Sequence, residues 1–265
     1  LDRLPFPARH LLPMKEYRMG TMHGRMHFTT IQTLRGCPWH CIFCASEALN
    51  TTRMLTRSAK SVVEEIKKVV ADFPYLTHFY FIDEVLTLWE EHILEVSDRI
   101  IAEGLKITFE GATRANLVND KQIEKMAKAG LIRLAFGLET VNTEMRKTMR
   151  KQVKLDDYTT ANKICESHGV EALNSVMIGL PGETRETIRE TLIFLRNARE
   201  VKQANFAIAV PYPGTEFSDM AINGTHGVEL MSEDFSEYLR YGSAVTTVGE
   251  LTPQDLIELQ NEGFV

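Results

Sequence analysis

Short apolar runs alternate with amphipathic segments along most of the chain after residue 27. The apolar runs are rich in β-branched and aromatic residues and have the length of buried strands. Six strands are predicted, at residues 28–34, 78–82, 107–111, 132–138, 172–178 and 206–210. Strands that alternate with helices form βαβ units, which place the strands parallel in one sheet. The pattern therefore predicts the α/β fold class.

Between the strands, apolar residues recur three and four positions apart, which is the spacing of one buried helix face. Polar residues that can cap a helix precede several of these segments. The predicted helix starts are Ser61 with Glu64, Thr87 with Glu90, Thr184, and Thr252. Cys165 lies on the apolar face of the helix predicted at residues 156–167, so we expect it to be a small core residue.

The composition is that of an ordinary globular chain, and it argues against two classes of partner. The 265 residues are 44% hydrophobic and 25% charged, which suits one α/β domain with a well-buried core. The net charge of −6 provides no general nucleic-acid surface, so no nucleic-acid partner is expected. No apolar run approaches the ~20 residues that a membrane-spanning helix requires, so no membrane span is expected.

Three of the four cysteines fall within eight positions, at Cys37, Cys41 and Cys44. Thiolates are soft ligands that suit zinc, copper(I) or iron–sulfur clusters. Three thiolates leave a tetrahedral zinc site incomplete, and His40 is the only close candidate for a fourth ligand. Ligation geometry alone leaves zinc and iron–sulfur both open. The clustering favours a reducing compartment, the cytoplasm, over a disulfide framework.

The spacing C-x3-C-x2-C, with Phe43 directly before the last cysteine and a predicted strand before the first, resembles the radical SAM superfamily. The resemblance implies that Cys37, Cys41 and Cys44 hold a [4Fe–4S] cluster whose open iron binds S-adenosyl-L-methionine (SAM). Phe43 is then expected near the SAM adenine. The implied reaction is reductive cleavage of SAM to a 5′-deoxyadenosyl radical, which abstracts hydrogen from the substrate. The implied fold is a partial (β/α)6 TIM-like barrel, which the six predicted units match.

Functional residues of parallel barrels lie at the C-terminal ends of the strands. Asp83 and Glu84 follow the second predicted strand, where the resembled family contacts the SAM amino group, and a carboxylate suits an ammonium ion. The alternative for either acid is the favourable start of a helix. Arg114 follows the third strand and offers a fork to the SAM carboxylate or to a substrate anion. A surface salt bridge is the alternative for Arg114.

Further candidates follow the later strands. Glu139 directly follows the fourth strand, where a carboxylate is costly unless it has a partner. The family often has G-x-E followed by Ser or Thr here, which implies a position near the SAM ribose or methionyl end. By the same resemblance, Ile178 and Pro211 are expected beside the adenine. Glu183 is expected to face the start of the next helix rather than the cofactor.

The first nine residues contain two prolines and are predicted to form an extended leader. This leader resembles the joint between a B12-binding domain and the barrel in the cobalamin-dependent subgroup, with a plain linker as the alternative. The expected domains are a leader at 1–27 that follows a missing cobalamin-binding domain, a radical SAM barrel at 28–215, and a truncated C-terminal extension at 216–265. Cobalamin would then reach this barrel through a domain that is not in this chain.

With such a domain, the resemblance implies methyl transfer or cyclisation of a small-molecule substrate. A one-electron reductant such as flavodoxin or ferredoxin is then the expected protein partner. Without such a domain, a B12-independent reaction such as methylthiolation is the alternative. A zinc or iron–sulfur binding module without catalysis is a second alternative, although iron–sulfur carriers usually supply four cysteines per cluster.

Overall fold

The computed structural model describes residues 1–21, 24–50 and 53–264. The strands are β1 (Arg18–Thr21), β2 (Gly24–Ile31), β3 (Leu34–Arg35), β4 (Leu55–Thr56), β5 (His78–Phe81), β6 (Thr108–Thr113), β7 (Leu131–Glu139), β8 (Glu171–Ile178), β9 (Gln203–Ile208), β10 (Val228–Leu230) and β11 (Thr246–Val248). The α-helices are α1 (Ser46–Asn50), α2 (Ala59–Asp72), α3 (Glu90–Ala102), α4 (Asp120–Ala129), α5 (Thr143–Thr148), α6 (Leu155–Ser167), α7 (Arg185–Asn197), α8 (Glu216–Asn223) and α9 (Pro253–Gly263).

Within the described residues, seven strands form one sheet in the order β1-β2-β5-β6-β7-β8-β9. Strands β2 to β9 in this order pair in parallel, and β1 adds an antiparallel hairpin strand to β2. The parallel strands curl into a half-barrel of the TIM-like type. The predicted α/β class and partial (β/α)6 barrel are therefore confirmed.

The two faces of the sheet differ in how completely they are covered. Phe79, Phe109 and Phe136 point to the helices and lie fully buried among apolar side chains of the helices. Alternate residues such as Tyr80 and Ala135 point the other way and stay partly exposed. Because successive strand residues face opposite sides, this alternation means that the inner face is less completely covered than the outer face at these positions.

The first predicted strand extends too far. It was predicted to run to residue 34, but β2 ends at Ile31, and the short β3 pairs with β4 in a separate sheet. Asp83 accepts hydrogen bonds from the backbone N–H groups of Thr33 and Leu34, at 2.7 and 3.1 Å. The Asp83 carboxylate satisfies backbone N–H groups that a neighbouring strand would otherwise satisfy. The chain can therefore leave the sheet at this point.

Two predicted helix starts are confirmed. Thr184 and Thr252 are the N-caps of α7 and α9, and each hydroxyl accepts a backbone N–H three residues later. The other two are wrong. Ser58 rather than Ser61 caps α2, whose first residue is Ala59.

The predicted capping box of Thr87 with Glu90 does not form. Helix α3 begins at Glu90 after Trp89, which makes no side-chain capping bond. The hydroxyl of Thr87 instead lies 2.6 Å from the hydroxyl of Thr113 in a buried hydrogen bond. A tertiary partner has therefore replaced the local capping partner.

Arg9 anchors the N-terminal leader to the rest of the fold. Arg9 is buried, and its guanidinium donates to the Thr29 hydroxyl (3.0 Å), to the Thr30 carbonyl (2.7 Å) and to Glu65 (2.6 Å). Arg57 holds the other oxygen of Glu65 at 2.6 Å. These bonds tie the leader to β2 and α2. The predicted domain boundary at residue 27 remains a prediction, although β1 and the start of β2 lie before it.

We expect Arg9→Met to reduce the free energy of unfolding by roughly 2–3 kcal/mol, because it removes charge-assisted hydrogen bonds inside the fold. Arg57 stays on Glu65, which limits the loss. Urea denaturation followed by circular dichroism measures the change. Arg3→Met is the matched control, since Arg3 is exposed in the same segment. Equal stability of the two variants would show that the leader is not anchored.

Candidate active site

The cysteine loop follows β3 directly and lies beside the carboxyl ends of the parallel strands. Cys37 and Cys41 are half-buried, Cys44 is exposed, and the Cys44 N–H donates to the Cys41 carbonyl at 3.0 Å. Burial raises the pKa of the Cys37 thiol, and the neighbouring Cys44 and Cys41 raise it further. The three thiols therefore lie within electrostatic reach of one another. Helix α1 begins two residues after Cys44.

The donor set fits a cluster that leaves one position open to a small molecule. The ring of His40 bonds the exposed Glu47 at 2.8 Å, so His40 is engaged away from the thiols. Among the described residues, no three His, Cys, Asp or Glu side chains are arranged as a ready-made site for one ion. A four-iron cluster binds each thiolate through a different iron, and its thiolates therefore stand farther apart than around one zinc ion.

Asp83 and Glu84 brace the cysteine loop from the end of β5. Asp83 is 3% exposed, and besides the Thr33 and Leu34 N–H groups it accepts the Thr33 hydroxyl at 2.6 Å. Burial raises the pKa of Asp83 to about 6. Glu84 accepts the Gly36 N–H at 3.1 Å and the side-chain amide of Asn50. The predicted contact with the SAM amino group stays a prediction for both residues, and the half-buried Glu84 is more accessible than the buried Asp83.

Glu139 ends β7 beside a partner that sequence reasoning missed. Lys151 donates to Glu139 at 3.1 Å, and both side chains are about nine-tenths buried. Burial alone would lower the pKa of Lys151, but Glu139, Tyr158 and Cys41 outweigh it and raise that pKa. The ion pair therefore stands within electrostatic reach of the thiols. Because Lys151 lies in a loop twelve residues beyond Glu139, no local pattern in the sequence indicates the contact.

The backbone around Glu139 is shaped for this ion pair. Glu139 has φ of 64°, a left-handed conformation that is uncommon outside glycine, and the register of β7 with β8 shifts just before it. A Cβ at Gly137 would overlap both the Glu139 carboxylate and the Lys151 amine. Strain of this kind is typical of functional sites, where surrounding structure holds an unfavourable conformation.

Arg114 follows β6 and lies over the cysteine loop. It is 6% exposed, and its guanidinium stands 4.2 Å from the ring centroid of Trp39, which lies between Cys37 and Cys41. The alternative of a surface salt bridge is wrong, because Arg114 is buried and makes no ion pair with any described residue. Its Nε and Nη2 atoms are buried and have no hydrogen-bond partner there.

The remaining predicted residues lie around the same edge but differ in what they present. Phe43 is half-buried and packs against a buried apolar cluster that contains Phe217 and Val248, and Pro211 is buried just after β9. Ile178 is 1% exposed in the core behind the sheet, so its side chain faces the helices rather than the cleft. Its neighbour Met177 faces the inner side. The contacts of Phe43, Pro211 and Ile178 with adenine stay predictions, and Ile178 offers only its backbone.

Glu183 was expected to face the start of the next helix, and this is wrong. One of its oxygens accepts the backbone N–H groups of Gly179 and Leu180, the latter at 3.1 Å, and closes the turn after β8. The side chain is buried, and burial raises the pKa of Glu183 to about 7. The turn geometry, with Gly179 and Gly182 at positive φ, brings the carboxylate back over its own strand.

We expect Glu183→Gln to stabilise the fold at pH 8 and to have little effect near pH 4. A raised folded-state pKa means that stability is lost as pH rises from about 4.5 to about 7 and stays lost above it. The loss is on the order of 3 kcal/mol, and an amide oxygen can accept the same bonds without a charge. Urea denaturation at several pH values measures it. Glu186→Gln is the control, since Glu186 is exposed one turn later.

Three comparisons with known proteins relate this site to a family. The sequence profile of the radical SAM superfamily matches residues 31–195. An uncharacterized methyltransferase of Pyrococcus horikoshii is 32% identical over 223 residues, which are 84% of this chain and 47% of that protein. The anaerobic magnesium-protoporphyrin IX monomethyl ester cyclase of Rubrivivax gelatinosus is 27% identical over 240 residues, covering 90% of this chain and 41% of that protein.

The fold resembles a solved radical S-adenosylmethionine methyltransferase, TsrM from Kitasatospora setae, in a structure with cobalamin and a [4Fe–4S] cluster bound. The TM-score is 0.69 at 17% identity, over 81% of this chain and 44% of that one. At this identity the likeness concerns the fold. The chain spans less than half the length of each of these three proteins. Among the described residues no helix combines the length and the apolarity needed to cross a membrane.

Proposed function

The chain belongs to the radical SAM superfamily, an enzyme family that uses a [4Fe–4S] cluster and SAM, and from this premise we propose that it is the barrel of a cobalamin-dependent methyltransferase or cyclase. The observation that carries the proposal is the loop of three thiols at the carboxyl ends of the parallel strands. Beside this loop stand the Glu139–Lys151 ion pair and the edge of Arg114 that has no hydrogen-bond partner in the described part of the chain.

We assign the cluster to Cys37, Cys41 and Cys44. When bound and reduced, the cluster supplies the electron that breaks a carbon–sulfur bond of SAM. Asp83 and Glu84 fix the chain that leads into the loop, and Glu84 also fixes Asn50 behind it. The loop geometry is therefore set by bonds that do not need the cluster, which lowers the conformational cost of binding it.

We assign SAM recognition to Glu139, oriented by Lys151, and to Glu84. A buried carboxylate held by a cation has a fixed direction and can accept hydrogen bonds from hydroxyl or ammonium groups. Small inner-face residues such as Ala112, Ala135 and Ser175 leave room for a substrate next to the strand ends. The outer face of the sheet is covered by the helices, so water reaches the site from the inner face.

The whole protein's reaction is also part of the proposal. Relatives named as a methyltransferase and a cyclase support methyl transfer or ring closure on a small molecule, and cobalamin bound in the similar fold supports a B12 cofactor held outside this chain. Methylthiolation is the second candidate, supported by a relative named as a ribosomal protein methylthiotransferase. A one-electron reductant such as flavodoxin or ferredoxin, and a reducing cytoplasm, follow from the need for free thiols and electrons.

Anaerobic reconstitution tests the proposal. We expect about four irons per chain, a brown colour, and release of 5′-deoxyadenosine when dithionite and SAM are added. A colourless protein that retains zinc instead would refute the assignment. The parent protein, expressed with its flanking sequence, is expected to bind cobalamin, which is detected by its absorbance. A parent that binds cluster and SAM without cobalamin would leave methylthiolation as the better candidate.

A further inference from the structure

Arg114 is a buried cation with no counter-charge among the described side chains. It is 6% exposed, while other buried arginines are neutralised or saturated by the protein. Arg9 bonds Glu65, and Arg146 donates to the carbonyls of Thr140 and Val153. A buried charge that lacks both an ion pair and hydrogen-bond acceptors is costly, so folding alone does not account for Arg114.

Two buried, unsatisfied donor atoms of Arg114 lie on one edge of its guanidinium. Nε and Nη2 are both buried, and neither has a hydrogen-bond partner among the described residues. Together they form the side-on fork that donates two parallel hydrogen bonds to a carboxylate or a phosphate group. Trp39 covers the face of the same guanidinium at 4.2 Å and holds its plane. The group is therefore pre-oriented to bind a ligand along its edge.

The position of the fork points to the reaction site. Arg114 follows β6, between the ends of β5 and β7 that carry Glu84 and Glu139. Trp39 belongs to the cysteine loop itself and lies two residues after Cys37, so its stacking places the Arg114 guanidinium on this loop. A ligand on this fork would thus lie at the carboxyl ends of the strands, beside the cysteine loop.

We propose that Arg114 and Trp39 form a receptor for an oxyanion of the substrate, a carboxylate or a phosphate-type group. Assigning the oxyanion to the substrate rests on the proposed function. In the radical SAM family the SAM carboxylate already coordinates iron, and the cation of Lys151 stands near the same thiols. The SAM carboxylate therefore has positive partners other than Arg114. The carboxylate of SAM is nevertheless the competing source of the same chemistry, and the experiment must separate the two.

A stability measurement separates a ligand-binding arginine from a structural one. We expect Arg114→Met to leave the melting temperature of the ligand-free chain unchanged or to raise it, because it removes a buried charge without breaking an ion pair. Arg9→Met, which removes a paired arginine, is expected to lower it. A fall for Arg114→Met as large as that for Arg9→Met would overturn the proposal.

Binding is read from Trp39. The chain has two tryptophans, so Trp89→Phe leaves Trp39 as the single tryptophan, whose fluorescence is excited selectively at the red edge of its absorption. Acetate and inorganic phosphate are titrated into the full chain without cluster, and then into the cluster-loaded chain saturated with SAM. We expect saturable changes in both forms, weakened roughly tenfold or more by Arg114→Gln and less by Arg114→Lys, which keeps the charge but not the fork. Arg199→Gln, a change at an exposed arginine, should bind acetate and phosphate as tightly as the Trp89→Phe protein without a second change.

Decarboxylated SAM distinguishes the two sources of the oxyanion. If the fork binds the substrate, Arg114→Gln weakens SAM and decarboxylated SAM to the same small extent. If Arg114→Gln weakens SAM strongly and decarboxylated SAM little, the fork serves SAM and the proposal is overturned. Absence of a saturable, Arg114-dependent signal with acetate or phosphate also overturns it. The first titration needs no cluster, so its result does not depend on iron binding. A chain that fails to bind iron would refute the proposed function, while the titration would still test the oxyanion receptor.

Discussion

Replacing Cys37, Cys41 or Cys44 by Ala, one at a time, is expected to abolish the visible absorption of the reconstituted cluster and all cleavage of SAM. Each thiolate binds a different iron of the cluster, so the loss of one thiolate leaves a second iron without a protein ligand. Absorbance after anaerobic reconstitution, iron analysis and 5′-deoxyadenosine release measure the loss. The exposed position of Cys44 makes its replacement the least disruptive to the fold.

Cys165→Ala is the matched control. Cys165 is fully buried on α6, and burial raises the pKa of its thiol to about 12, so it stays protonated and is a poor ligand. We expect this variant to keep a normal cluster and full SAM cleavage, with a loss of roughly 1 kcal/mol of stability from the small cavity. A normal cluster in Cys41→Ala would end the assignment of the three ligands.

Glu139→Gln is expected to keep the cluster and to weaken SAM binding by tenfold or more. The amide retains the shape of the side chain but loses the charge-assisted part of the contact, which is worth ~1.5–3 kcal/mol. An equilibrium titration of SAM into the cluster-loaded chain measures the affinity. Glu144→Gln, a change at an exposed acid shortly after it, is expected to have no effect. Unchanged SAM affinity in Glu139→Gln would remove this residue from the site.

The partner of Glu139 allows a second measurement on the same ion pair. Lys151→Met leaves a buried carboxylate without its cation, which is expected to reduce the free energy of unfolding by about 3–5 kcal/mol. Combining it with Glu139→Gln removes the stranded charge, so the double variant should regain much of that stability without regaining SAM affinity. A double variant as unstable as Lys151→Met alone would mean that Lys151 packs rather than pairs.

The strands were predicted because their information is local. Apolar runs such as residues 132–138 and 172–178 correspond to β7 and β8, since the strands are buried on the outer face along their length. Helix N-caps such as Thr184 depend on residues three positions apart, so they could be predicted from the sequence as the strands were. The β1–β2 hairpin was missed, because its half-exposed residues show neither a continuous apolar run nor a strong turn signal.

The cysteine spacing and the order of the strands determined, from the sequence by itself, the family, the fold and the edge of the sheet where the candidate residues lie. Parallel strands bring their carboxyl ends together, so the candidates at 83–84, 114 and 139 could be placed on one rim. Only the tertiary structure decided what each of these side chains contacts. Asp83 bonds the backbone of Thr33, Glu139 pairs with Lys151, and Arg114 stacks on Trp39 with two buried donors that lack a partner among the described residues. These contacts join residues from separate strands and loops, and their geometry depends on packing that no local sequence pattern encodes.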